Sequence, residues 1–184
     1  PGIGYVLRPG FMLPPLMFTE DEIEALVFGT RLAATRADER LASAAENALA
    51  KIAAVLPPDL ADRMETTGLI VAPPWNARPD AVDLGLVRTA IRNETRLQFS
   101  YVNEKGIATR RVVWPIAVAF FERARVLTAW CELRQDFRHF RLDRMAEAVD
   151  LGVRYPRRRR QLMKEWRELE PAVPSGEIAA PKPA

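Results

Sequence analysis

A chain of 184 residues, 48% hydrophobic and 28% charged, has the balance of a soluble globular protein and the length for one domain or two small ones. One cysteine and one histidine exclude a disulfide framework and a Cys/His zinc site, and no apolar run approaches the roughly 18 residues a membrane helix needs. Net charge is only +3, but nine arginines between Arg134 and Arg160 meet four acidic residues, a local basic field that points to an anionic partner.

The chain opens on Pro1-Gly2 rather than methionine and has no basic-then-apolar leader, as expected of a piece of a longer protein. Gly4 to Pro9 reads as a short strand, and Pro14-Pro15 as a stiff connector. Thr19-Glu20-Asp21-Glu22 is a capping box, with Phe18 and Ile23 placed for a hydrophobic staple. The helix it starts carries Ile23, Leu26, Val27 and Leu32 on one side. A second helix, over about 38–56, stripes Leu41, Ala45, Ala48, Leu49 and Ile52, and Pro57-Pro58 ends it. A short third helix runs through Leu60 to Met64. Residues 72–79, with three prolines, form a linker and the best domain boundary.

Beyond the linker, Asp83 caps an amphipathic helix with Leu84, Val87, Ala90 and Ile91 at helical spacing. The pattern then changes to period two at Leu97, Phe99 and Tyr101, with Asn103 to Gly106 as a hairpin turn. Further strands are expected at about 107–114, 116–122, 126–133, 137–142 and 146–150. Closely spaced antiparallel strands behind one short helix predict a small barrel. A last helix, about 157–170, starts with four arginines and precedes a Pro- and Ala-rich tail expected to be disordered.

Catalysis finds little support. There is no Gly-rich phosphate loop, and His139 has no nucleophile in a recognisable motif. Cys131 lies inside an expected strand beside Trp130 and reads as a buried thiol. His139 alternates with Arg138 and Phe140 and is expected at the surface or at a pocket edge. Arginine offers a planar fork suited to phosphate. Strand alternation places Arg138 and Arg141 on opposite faces, so both cannot line one pocket without a bulge. Asp143 is expected to pair with Arg141 or Arg144, and Phe140 and Trp130 to sit in the core.

The run Ala129-Trp130-Cys131-Glu132-Leu133-Arg134-Gln135-Asp136-Phe137-Arg138-His139-Phe140-Arg141-Leu142-Asp143-Arg144 resembles the signature block of WYL-domain transcriptional regulators. Arg110 to Pro115 is similar to that family's basic-then-proline strand. Gly4 to Phe11 resembles the end of the wing of a DeoR-like winged helix-turn-helix, and Leu13 to Glu22 the start of the linker helices. The triplet that names the domain falls on Arg125-Val126-Leu127, where only the leucine is retained.

The resemblance implies an α+β protein: a helical linker module, a small Sm/SH3-like antiparallel β-barrel and a C-terminal helix. Residues 1–15 would be a wing remnant and connector, 16–79 a helical linker and dimerisation module, 80–153 the barrel, 154–170 the C-terminal helix and 171–184 a disordered tail. It implies a cytoplasmic, homodimeric, non-enzymatic regulator that lacks most of its DNA-binding domain. That domain would read duplex operator DNA while the barrel binds an anionic single strand or nucleotide. Candidate ligand-binding residues are Arg110, Arg134, Arg138, Arg141, Arg144, Tyr101 and His139, with no cofactor or metal expected. The rival readings are a structural oligomerisation module with solvated arginines, and an Sm-like RNA-binding protein.

Overall fold

The computed structural model describes residues 17–73 and 79–169. The wing strand at 4–9, the Pro14-Pro15 connector, the centre of the 72–79 linker and the 171–184 tail lie outside the described residues.

Helix α1 (Glu20–Arg36) starts at the capping box: Thr19 Oγ1 accepts the Glu22 N–H at 3.3 Å, and Glu22 Oε2 accepts the Thr19 N–H at 2.7 Å. The Thr19 N–H, and after it the Thr19 hydroxyl, donate to the Glu22 carboxylate and pull it below its ordinary range. Asp38 caps α2 (Glu39–Ala53), which stops short of Leu56 because the chain is already turning towards Pro57 and Pro58. Pro58 then opens α3 (Pro58–Thr66), where a missing N–H costs nothing. Ile23, Val27 and Met64 are buried together, with Phe18, Leu49 and Leu60 packed around them. The helical module therefore has a core of its own, though a small one.

Asp83 caps α4 (Leu84–Asn93), accepting the Gly85 N–H at 2.8 Å, and the helix buries Leu84, Val87 and Ala90. Five strands follow: β1 (Thr95–Val102), β2 (Ala108–Phe120), β3 (Arg125–Cys131), β4 (Asp136–Arg141) and β5 (Met145–Arg154). All pairings are antiparallel, in the order β4-β3-β2-β1-β5. The two strands expected at 107–114 and 116–122 are one strand, β2, which runs straight through Pro115. A register shift between Pro115 and Ala117 absorbs the proline's missing donor. Trp114 and Ile116 consequently both meet the layer outside the sheet.

The sheet is strongly curled. Its edge strands β4 and β5 are joined by only the 3-10 turn Leu142–Arg144, which advances roughly 6 Å. Five flat strands would hold those edges about 19 Å apart. Rings three strands apart touch as well: Phe140 on β4 lies 5.1 Å from both Phe99 and Tyr101 on β1, edge to face. No ladder joins β4 to β5 among the described residues, so the observed sheet is curled rather than closed. Leu97, Phe99, Tyr101, Val113, Leu127, Ala129, Cys131 and Phe140 fill its concave face against α4. On the outer face, Leu162 and Trp166 of α5 (Arg159–Leu169) pack on Ile116, Phe137 and Tyr155. Burial among these groups raises the Tyr155 phenol well above its ordinary range.

A candidate anion-binding site

Register decides which arginines share a face. Arg111 stands opposite Phe99 on β1, and Arg138 stands opposite Ala129 on β3; both partners belong to the concave core. Period-two alternation therefore sends these two guanidinium groups inward. Arg134 joins them from the β3–β4 turn, where Gln135 takes a left-handed conformation with φ 50°. Arg111, Arg134, Arg138 and Phe140 line one recess of about 110 Å³.

Its donors are incompletely used. Arg111 is 7% exposed, and its Nε donates to Thr109 Oγ1 at 3.1 Å. Arg138 reaches Asp136 at 3.3 Å through Nη2, but its Nε is buried and has no partner. Arg134 is exposed. A buried guanidinium N–H without an acceptor is costly to leave unmatched, so the recess is suited to an anion that supplies oxygen. Its lining is three guanidinium groups and one aromatic ring, an arrangement that can bind an anion.

The other expected ligand residues are elsewhere. Arg110 faces away from Arg111; with the Gln98 amide oriented to accept, its Nε and Nη2 reach the Gln98 oxygen at 3.2 and 2.6 Å. Arg141 grips Asp143 with both prongs, Nε to Oδ1 at 3.0 Å and Nη2 to Oδ2 at 2.9 Å. The Asp143 bond raises the Arg141 pKa further above its ordinary value. Arg144 pairs with Glu104 at 3.2 Å. Tyr101 is 3% exposed within the aromatic core. His139, expected at the surface or a pocket edge, is 7% exposed; its Nδ1 lies 3.1 Å from Thr128 Oγ1, and Trp166 of α5 covers it. Helix α5 closes over the outer face of β4, which strand alternation alone does not reveal. Arg111 and Phe140 are the residues that sequence reasoning left out of the site. Counting alternation back from Val113 puts Arg111 on the inward face, but its meeting with Arg138 across β3 depends on the curl of the sheet.

Residues 83–150 match the family model described as WYL domain. The chain contains a WYL domain. It is 30% identical over 139 residues to the proteins named Protein PafC from Mycobacterium tuberculosis strains CDC 1551 / Oshkosh and H37Rv, over 75% of this chain and 40% of theirs. The chain thus spans less than half the length of these curated relatives. It is also similar, at 18% identity and a TM-score of 0.36, to the structure of proteasome accessory factor B/C (PafBC) of Arthrobacter aurescens, over 78% of this chain and 22% of that one.

The WYL match begins at the α4 cap and ends within β5, so it contains the whole recess but neither the helical module nor α5. Arg125-Val126-Leu127 opens β3, where Arg125 has a structural task. Arg125 donates through Nε and Nη2 to the carbonyl of Arg36, the last residue of α1, and through Nη1 to Asp80 at 2.7 Å. Arg36 Nη1 returns a bond to the Phe121 carbonyl at 3.1 Å. Asp38 pairs with Arg88 of α4. The helical module is therefore fastened to the WYL domain by guanidinium groups. Burial raises the Asp80 carboxyl despite Arg125. Burial pushes Asp38 the same way, but bonds from Arg88 and the Leu41 N–H outweigh it and leave Asp38 low.

Proposed function

We propose that this chain is the sensing region of a transcriptional regulator, and that its WYL domain captures an anionic, nucleic-acid-derived ligand in the concave recess. The observation that carries this reading is the convergence of Arg111, Arg134 and Arg138 beside Phe140, with the Arg138 Nε buried and unpartnered. Guanidinium forks fit phosphate oxygens, and the buried Phe140 ring closes the recess behind them. The curled sheet supports the Sm/SH3-like barrel reading, because its edge strands are brought together by a three-residue turn. Duplex operator DNA would be bound by a winged helix-turn-helix elsewhere in the full-length protein, in a cytoplasmic homodimer formed through the helical module.

The test is binding of a short fluorescent single strand by the whole chain across a salt series. Three phosphate contacts at roughly 0.7 each predict a log–log slope of about −2. Arg138→Gln should weaken binding by roughly 10-fold or more, the worth of a charged hydrogen bond, with the melting temperature little changed. Binding that is absent from the wild-type protein, or indifferent to salt, would replace this reading with that of an oligomerisation module.

A further inference from the structure

Helix α5 and the turn that leads into it divide their basic residues between two sides. Arg157 and Arg159 turn toward the sheet: Arg157 pairs with Glu165 and lies 5.8 Å from the Trp130 ring, and Arg159 Nη1 donates to the Ile116 carbonyl at 3.0 Å. Leu162 and Trp166 complete that attached side. Arg160, Lys164 and Arg167 recur at i, i+4 and i+7, the spacing of one helical stripe, and this stripe points away from the buried side, with Met163 at its margin turned toward the core. Arg160 and Arg167 are exposed and have no hydrogen bond or ion pair among the described residues. The Lys164 side chain is 78% exposed and reaches Glu168, the acid bordering the stripe, at 3.8 Å. Arg158, 79% exposed, extends the cationic surface at the helix start, with Glu94 at 3.9 Å.

We infer that this outward face of α5 is a second anion surface, fitted to the phosphate backbone of duplex DNA without regard to sequence. It lies across the sheet from the recess: α5 packs on the outer residues Ile116 and Phe137, whereas Arg111 and Arg138 point into the concave side. Three cations along about 10 Å of helix axis form a linear array, matched to a linear polyanion rather than to a small ion. The α5 tryptophan, Trp166, is 4% exposed and cannot stack on bases, so the face supplies charge without the aromatic platform that single strands use. Met163, the large apolar side chain between these cations, is half-buried against the Leu162–Trp166 cluster, so the face offers no exposed apolar wedge of the kind an amphipathic helix inserts into a lipid surface. What remains is contact with phosphate alone, which a duplex presents while its bases are shielded.

The inference goes beyond the recess and is tested separately from it. The whole chain is titrated onto a short fluorescent duplex of arbitrary sequence, as wild type and as the triple variant Arg160→Gln, Lys164→Gln, Arg167→Gln. Arg40→Gln, Lys51→Gln, Arg123→Gln is the charge-matched control, at exposed positions on α2 and the β2–β3 turn. Three duplex contacts at roughly 0.9 each predict that wild-type affinity falls about 40-fold between about 50 and about 200 mM salt. The triple variant should lose most of that dependence, and the control should keep it. The triple variant should also bind a nucleoside monophosphate as wild type does, since that ligand addresses the recess. Absence of duplex binding at low salt, or equal losses in the two triple variants, overturns the inference. So does a triple-variant loss seen on phosphatidylserine vesicles but not on duplex.

Discussion

Arg138 and Arg141 stand three residues apart on one strand, and the fold gives them opposite duties. Arg138 enters the recess with its Nε unmatched, while Arg141 closes a bidentate pair on Asp143, whose side chain is 2% exposed. Removing Arg141 leaves a buried carboxylate short of a bidentate partner. The pair's other half is 34% exposed, and solvent screening discounts its worth. Arg141→Ala is therefore expected to cost roughly 1–3 kcal/mol in chemical denaturation, with little change in affinity for a single strand. Unchanged stability would show that Arg141 is not a structural residue, and lost affinity in a stable variant would place it in the site.

Between elements, the deciding feature is that the helical module and the sheet have separate cores joined by polar contacts. Arg125 is the hub of that junction. Arg125→Met should preserve the sheet and release α1, seen as faster hydrogen exchange near Arg36 and near Asp80 at unaltered protection in β1 to β3. Uniform loss of protection would mean that the two units unfold together. The junction carboxylates should also separate in acid. Asp80 is raised, so it protonates above the ordinary aspartate range, and the folded state binds that proton more tightly than the unfolded state. Its titration alone thus makes no acid loss of stability. Asp38 is lowered, and its contribution, present above the unfolded aspartate value, disappears as pH falls through its own lower midpoint. Carboxyl NMR should find Asp80 titrating above Asp38, and the reverse order would contradict the burial and pairing described.

At the scale of the whole molecule, the helical module looks outward. Helix α2 has no buried residue, and Phe28, Leu32 and Val55 are 41%, 40% and 80% exposed. Small side chains at Ala45 and Ala48 permit close helix approach, and regulators that read two-fold sites are commonly two-fold themselves. Light scattering at tens of micromolar should give about twice 20.7 kDa, and Ala48→Glu should return the mass to that of one chain. A wild-type monomer at that concentration would remove the dimer from the proposal.

Short-range physics was legible in the sequence. The capping box at Thr19, the Asp83 cap, the α4 stripe and the alternation of Leu97, Phe99 and Tyr101 each depend on neighbours within a turn or a strand, and they stand where local rules place them. The basic block and the split between Arg138 and Arg141 were equally readable, because alternation is a property of one strand. Tertiary structure decided everything that depends on a second strand or a covering helix. Pro115 is carried inside β2 because a bulge against β3 accommodates its missing donor. His139 is buried because α5 returns over the sheet. Arg111 enters the site because the sheet curls until its concave residues converge with Arg138. Curl, bulge and helix return arise from packing between residues distant in the chain, which no local pattern encodes.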